Sequence, residues 1–287
     1  MMDAVVEPLL EAWRRTPLGE SARGRALAGR MRRTARRAGW TLTRQMQGSG
    51  FRPAEMELTF GSGGVPPVCI DLADGSRAYL RGRIDRIDLM ETQQSVYLRV
   101  IDYKSGKREL DPTDVYWGLQ LQLLIYLYAA SHKYAGAQPA GLFYCRIDDP
   151  LITGNLRVQD QVEREIAKRL SLKGLSLSDV EIVRAQGEDQ VRAMLKNDGT
   201  LRQGAAAVSS QELSLLVDYA VRMAAQLSAR IAAGEIDVSP AQRGPMRACA
   251  YCDYRGICGF DPLLSGASAR VLEKKSLDDI VRAQEET

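Results

Sequence analysis

Two carboxylates and a lysine stand out by type and spacing: Asp85, Asp102 and Lys104. Residues 95–103 read SVYLRVIDY, and strand alternation puts Val96, Leu98, Val100, Asp102 and Lys104 on one face. That face is apolar until its end, where an acid and an amine follow two residues apart. Such a pair at the mouth of a buried strand is costly unless a divalent cation and a phosphate compensate it. Asp85 falls in the preceding strand-like stretch, residues 78–89 (AYLRGRIDRIDL), where Gly82 leaves room for close approach. These residue types suit phosphodiester hydrolysis. Two carboxylates can hold Mg2+ or Mn2+ while waters remain on the ion. The metal turns a bound water into a nucleophile and clamps phosphate oxygens. A neighbouring lysine orients that water and stabilises charge growing on the phosphorane.

An Asp-x-Lys on a strand is by itself better explained as a salt bridge at a sheet edge. The order of features reverses that preference: an Asp, a further strand ending in Asp-x-Lys, then an apolar helix with polar intrusions. In that helix Gln122 and Tyr126 stand four residues apart on one face. Buried polar groups need partners, which a nucleotide, the lysine or an ordinary core hydrogen bond would supply.

The elements that must carry these residues can be read from periodicity. Residues 54–60 alternate, with Met56, Leu58 and Phe60 on one face, and predict a strand. Residues 61–67 predict a loop, 68–72 a short strand, and Asp74-Gly75 a turn. The stretches 78–89 and 95–103 form a neighbouring pair joined by a polar loop. A buried helix over 114–131 and a strand over 140–147 follow. Beyond Pro150 the character is helical: Val162, Ile166 and Leu170 recur at four-residue spacing. A long helix over 211–233 opens on a capping box, Ser209 with Glu212, and closes at Gly234. Strands followed by helices predict an α/β or α+β core with helical additions.

The chain has 287 residues, enough for one large core or one decorated domain. Its richest apolar run, 119–130, is broken by Gln120 and Gln122 and is too short to span a bilayer. No signal-peptide pattern opens the chain, so a cytoplasmic location is expected. The net charge is only +3, yet residues 14–44 hold ten arginines against one acid, Glu20. That basic segment reads equally as a phosphate-contacting surface or a solvated helix face, with Trp13, Leu27, Met31 and Trp40 offering apolar contact. Of five cysteines, Cys249, Cys252 and Cys258 fall within ten residues, which points to a metal or iron–sulfur centre rather than disulfides.

The stretches GRIDRID, VIDYKSG and YWGLQLQLLIYL resemble the RecB-like branch of the PD-(D/E)XK nucleases, most closely the C-terminal nuclease domain of AddB-type helicase–nuclease proteins. The likeness continues through MELTFG, GLFYCRIDDPLI, LKGLSLSD and CAYCDYRGICGFD, covering roughly residues 50–262 in order. It implies a restriction-endonuclease-like α/β fold, a mixed sheet flanked by helices, with helical C-terminal additions and a cysteine-cluster staple. Asp85 and Asp102 would ligate Mg2+ or Mn2+, Lys104 would be catalytic, and Gln122 and Tyr126 would form an auxiliary motif. Glu57 matches an acidic position without an assigned role. The family likeness favours a 4Fe–4S cluster on Cys249, Cys252 and Cys258, with its fourth cysteine upstream. Here Cys69 and Cys145 are poor substitutes, and His132 reads as a helix-end surface residue rather than the family's upstream metal-binding histidine. Both departures suggest a C-terminal piece of a longer protein. The expected organisation is a basic helical segment (1–47), a nuclease domain with the iron–sulfur segment (48–262) and a polar tail (263–287). The implied function is single-strand DNA exonuclease action in double-strand break repair, beside an AddA-type helicase–nuclease partner and with no membrane. The alternatives are a non-catalytic DNA-binding scaffold and a stand-alone exonuclease, similar to the Cas4 family, with its own cluster.

Overall fold

The computed structural model describes residues 2–62, 65–152 and 159–286. Residues 63 and 64 of the expected 61–67 loop lie outside them. The first segment is helical: α1 (Met2–Arg14), α2 (Pro17–Glu20) and α3 (Ala22–Gln47). Thr16 and Ser21 cap α2 and α3, their hydroxyls accepting from Gly19 and Gly24 N–H groups. Many of the arginines are paired within the fold. Arg14 and Arg32 meet Glu7 at 3.1 and 2.5 Å, and Arg36 meets Asp3 at 2.6 Å, which binds α1 to α3. Arg33 and Arg37 reach Asp149, and Arg44 reaches Asp189. The apolar contact also differs from expectation: Leu27 and Met31 are exposed, and Leu10 and Ala28 are buried instead.

The centre is a six-stranded mixed sheet. Its strands are β1 (Arg52–Phe60), β4 (Gly82–Glu91), β5 (Val96–Lys104), β6 (Gln138–Arg146), β7 (Lys173–Leu177) and β8 (Ala207–Val208), in that spatial order. β2 (Val68–Asp71) and β3 (Arg77–Leu80) form a separate hairpin. Arg81 divides the single strand expected over 78–89 into β3 and β4. β5 and β6 run parallel, as do β7 and β8, and the other neighbours in the large sheet are antiparallel. Leu98 and Val100 on one face of β5 join the main core, whereas Ile101 on the other packs with Phe143, Cys145 and Leu172. Burial on both faces explains the nearly continuous apolar run of this central strand.

The helix expected over 114–131 is two helices, α4 (Pro112–Tyr116) and α5 (Gln122–Lys133). Gly118, at φ +76°, lets the chain turn between them. Buried Gln120 fixes the corner: its Oε1 accepts from Asp111 N at 2.8 Å and its Nε2 donates to Glu109 O at 2.9 Å. α6 (Gln159–Arg169), α7 (Val180–Ala185), α8 (Glu188–Met194) and α9 (Ser210–Ala232) follow. The Ser209/Glu212 capping box opens α9 as expected.

The edge strand β1 departs from simple alternation. Met56 is exposed while Phe60 is buried, because Glu57 adopts φ +55° and breaks the pleat between them. The C-terminal residues carry β9 (Ala241–Arg243), β10 (Met246–Arg247), α10 (Arg255–Cys258), β11 (Arg270–Val271) and α11 (Leu277–Glu285). The tail expected over 263–287 therefore contains a packed helix, with Ile280 fully buried in the main core. Asp278, Asp279 and Arg282 conceal its apolar stripe, and Ser276 and Asp279 form its capping box. Among the described residues no helix is long and apolar enough to cross a membrane.

Candidate active site

The antiparallel register of β4 and β5 runs from Glu91↔Val96 to Arg86↔Ile101. At the next residue the Asp85 side chain enters the ladder's place: its Oδ2 accepts the Tyr103 N–H at 2.8 Å. Asp102 is buried, at 2% exposure, while Lys104, two residues on, reaches partly into solvent. Lys104 Nζ lies 2.6 Å from Asp102 Oδ2 and donates to Gln122 Oε1 at 3.1 Å. Gln122 Nε2 then donates to the Tyr126 hydroxyl at 2.8 Å. The structure thus joins Asp102, Lys104, Gln122 and Tyr126 in one chain of contacts, with Asp85 on the adjoining strand.

The rear of this site is tightly packed. Tyr126 meets Phe60 edge-on, with ring centroids 6.1 Å apart. A Cβ on Gly82 would stand 2.8 Å from two Phe60 ring atoms and 3.4 Å from Tyr126. The room that Gly82 leaves is therefore taken by the ring that backs Tyr126.

Asp102 is electrostatically strained. Burial pushes its carboxyl pKa up, the Lys104 ammonium pulls it down, and the Asp85 charge pushes it up again. The Lys104 ammonium is the cation that Asp102 Oδ2 meets, and a carboxylate oxygen can accept more than one partner. A buried carboxylate oxygen with capacity to spare, beside a second carboxylate, fits a small divalent cation. Mg2+ suits such a pair because it keeps several waters and needs only one or two carboxylates.

The family description of the PD-(D/E)XK nuclease superfamily matches residues 1–259. The chain belongs to this superfamily. It is also similar to proteins named as the B subunit of an ATP-dependent helicase/deoxyribonuclease. The relative from Ruminiclostridium cellulolyticum is 35% identical, over 98% of this chain and 26% of its own length. Those from Moorella thermoacetica and Desulforudis audaxviator are 38% and 37% identical, over 95% and 98% of this chain and 25% of each relative. The chain spans about a quarter of the length of these relatives.

The mixed sheet flanked by helices is that of a PD-(D/E)XK fold, whereas the cysteine staple is not seen. Cys252 and Cys258 are exposed thiols and Cys249 is half-buried, and the described residues contain no group of three or more metal-ligating side chains. Cys69 is exposed on β2 and Cys145 is buried on β6, its thiol pKa raised by that burial. The C-terminal segment makes polar contacts to α4 and the turn after it. Arg243 pairs with Asp111 and Asp114 at 2.6 and 3.0 Å, and Trp117 Nε1 donates to Glu273 O at 3.0 Å. His132 is exposed at the end of α5, its Nδ1 2.9 Å from Tyr128 O. Glu57 lies across from Asp85, between the registered pairs Met56↔Arg86 and Leu58↔Ile84, but its carboxylate pairs with exposed Arg83 at 2.7 Å.

Two supporting groups have only faint signals in the sequence. Arg86 and Arg99, both buried, converge on fully buried Asp88 with contacts of 2.5 to 2.9 Å. Arg99 also donates to Gln186 Oε1 at 2.9 Å. Charges two residues apart within an apolar strand were the available signal, since Arg86 and Asp88 share a face. The second is Gln120, whose Nε2 reaches the Tyr144 hydroxyl at 3.2 Å. It stands in the sequence only as an interruption of an apolar run.

Proposed function

We propose that this chain is a Mg2+-dependent deoxyribonuclease domain, with Mn2+ able to substitute. It hydrolyses phosphodiester bonds of a single DNA strand exonucleolytically, as an AddA-type motor partner delivers that strand from a duplex during double-strand break repair. A cytoplasmic setting follows from a chromosomal substrate. The observation that carries this reading is the buried Asp102 carboxylate, with Asp85 near it and the Lys104 ammonium 2.6 Å away. The superfamily membership and the names of the relatives support it.

Hydrolysis adds a water oxygen to phosphorus and breaks one bridging P–O bond. Asp85 and Asp102 would hold the ion, which supplies Lewis acidity and an acidified water when bound. Asp85 is aimed by the Tyr103 amide, and Asp102 by its strand position and the ammonium beside it. Lys104 sits between two acceptors, Asp102 and Gln122, so its ammonium is fixed where charge develops on the non-bridging phosphate oxygens. Gln122 positions Lys104, and the Tyr126 hydroxyl holds the Gln122 amide in that orientation.

The test is degradation of end-labelled single-stranded DNA with Mg2+ by the full assembly carrying Asp85→Ala or Lys104→Ala. Each change is expected to lower the rate by at least about 100-fold, as for loss of a preorganised electrostatic group. Rates equal to the parent's would overturn the assignment. A second reading is a non-catalytic DNA-binding scaffold that keeps the nuclease fold. Strand binding with no cleavage in Mg2+ or Mn2+ would support it.

A further inference from the structure

Beside Lys104 the loop after β5, the end of β6, α6 and the start of β7 line a cleft of about 330 Å3. Besides Lys104 it is lined by Lys107, Arg108, Arg146, Lys168, Arg169 and Lys173. Only two carboxylates join them, and each has a cation of its own: Glu109 lies 3.7 Å from Lys107, and Glu165 3.0 Å from Arg169. Arg146 pairs with Asp148 at 2.5 Å. Arg108, Lys168 and Lys173 have no carboxylate partner among the described residues. These three come from the loop, α6 and β7, so the fold brings Arg108 to Lys168 and Lys173 from a distant part of the sequence.

Like charges crowded into one concavity repel one another, and anions relieve that repulsion. We infer that this cleft binds phosphate groups of the DNA strand adjacent to the phosphodiester being cut. The inference rests on the nuclease reading for the identity of the anion. Lys104 belongs both to the cleft and to the Asp102 contact, so a backbone lying in the cleft passes directly beside the two carboxylates. The lining is dominated by lysine and arginine, which contact phosphate without reading base edges. Binding in the cleft is therefore sequence-independent and strongly salt-dependent. Lys168 and Lys173 are the residues whose removal isolates the effect, since neither touches Asp85, Asp102 or Gln122.

The experiment measures binding of a fluorescein-labelled oligothymidylate to the full chain in EDTA, where no cutting occurs, across a salt series. The Lys168→Ala/Lys173→Ala double variant is compared with the parent and with Lys168→Arg/Lys173→Arg. The alanine variant is expected to bind about tenfold more weakly. The slope of log Kd against log salt should fall by about 1.4, at about 0.7 per single-strand phosphate contact. The arginine variant should restore both. Equal affinity and slope in parent and alanine variant would overturn the inference, and so would a loss seen only for inorganic phosphate. An alanine variant that unfolds would be recognised by its melting curve, and the single Lys168→Ala change, at an exposed position of α6, then carries the test with half the slope change. Failure of the nuclease reading looks different: the parent binds the strand with the full slope but does not cut it when Mg2+ is added.

Discussion

Lys104 donates to Gln122 Oε1 at 3.1 Å across the gap between the end of a strand and the first turn of a helix. That bond ties the acidic end of β5 to the helix whose apolar face packs on the same core. Gln122→Ala removes the acceptor and leaves Lys104 held by Asp102 alone. A hydrogen bond to a charged group is worth about 1.5–3 kcal/mol, so strand degradation should slow by roughly 10- to 100-fold. Tyr126→Phe acts one step further away and should cost less, about two- to tenfold. Steady-state degradation of labelled single strands orders the two; a Tyr126→Phe effect larger than that of Gln122→Ala would contradict the chain of contacts.

Asp102 gives a pH-dependent signature without metal. Burial raises its folded-state pKa above the ordinary 3.8, so the folded protein binds this proton more tightly than the unfolded chain. The contribution is fully present below that ordinary value and is lost as pH rises through the raised one. In EDTA, Asp102→Asn should therefore melt higher than the parent at neutral pH, by an amount on the order of 1 kcal/mol. That advantage should shrink on acidification towards the ordinary carboxylate value. Mg2+ should stabilise the parent and leave the variant unmoved. Thermal melts across pH, with and without Mg2+, measure both effects; a parent indifferent to Mg2+ would argue against the two-carboxylate metal site.

The buried Arg86–Asp88–Arg99 group predicts a stability effect. Asp88→Asn leaves two buried guanidiniums without their carboxylate and should cost about 3–5 kcal/mol. Urea titration should show the midpoint falling with little change in slope. A loss under about 1 kcal/mol would mean that the arginines find other partners.

Gly82 predicts a packing effect that reaches the site indirectly. Gly82→Ala places a methyl 2.8 Å from the Phe60 ring, which must move and take its edge contact with Tyr126 with it. Such overpacking costs about 1–3 kcal/mol, and degradation should slow with it. Adding Phe60→Leu vacates the space and should restore part of the rate. If the double variant is no faster than the single one, Gly82 acts through the backbone rather than through Phe60.

The strands as far as β6 were largely legible because strand alternation is local, whereas β7 and β8 fall in the stretch beyond Pro150 that reads as helical. β5 reads as a central strand from its own nine residues, and the phase of Asp102 and Lys104 follows from it. α9 was legible for a similar reason, since its capping box lies within a single turn. Sequence and structure part where a distant contact overrides the local pattern. The stretch 114–131 reads as one helix, yet Gly118 and Gln120 break it to hold the 109–111 loop. The C-terminal residues read as a polar tail because Asp278, Asp279, Arg282 and Glu285 crowd the short helix there, although Ile280 anchors it in the core.

The sequence alone determined which groups share the candidate site's faces: a pleat of period two delivers Asp102 and Lys104 to one face, and a helical spacing of four aligns Gln122 with Tyr126. Tertiary structure decided how they meet. It set Lys104 between Asp102 and Gln122, turned the Asp85 side chain onto the Tyr103 amide, and assembled the cationic cleft from a loop, a helix and strand ends. Periodicity is fixed by backbone geometry over a few residues, whereas these contacts depend on how separate elements pack, and no local pattern encodes that.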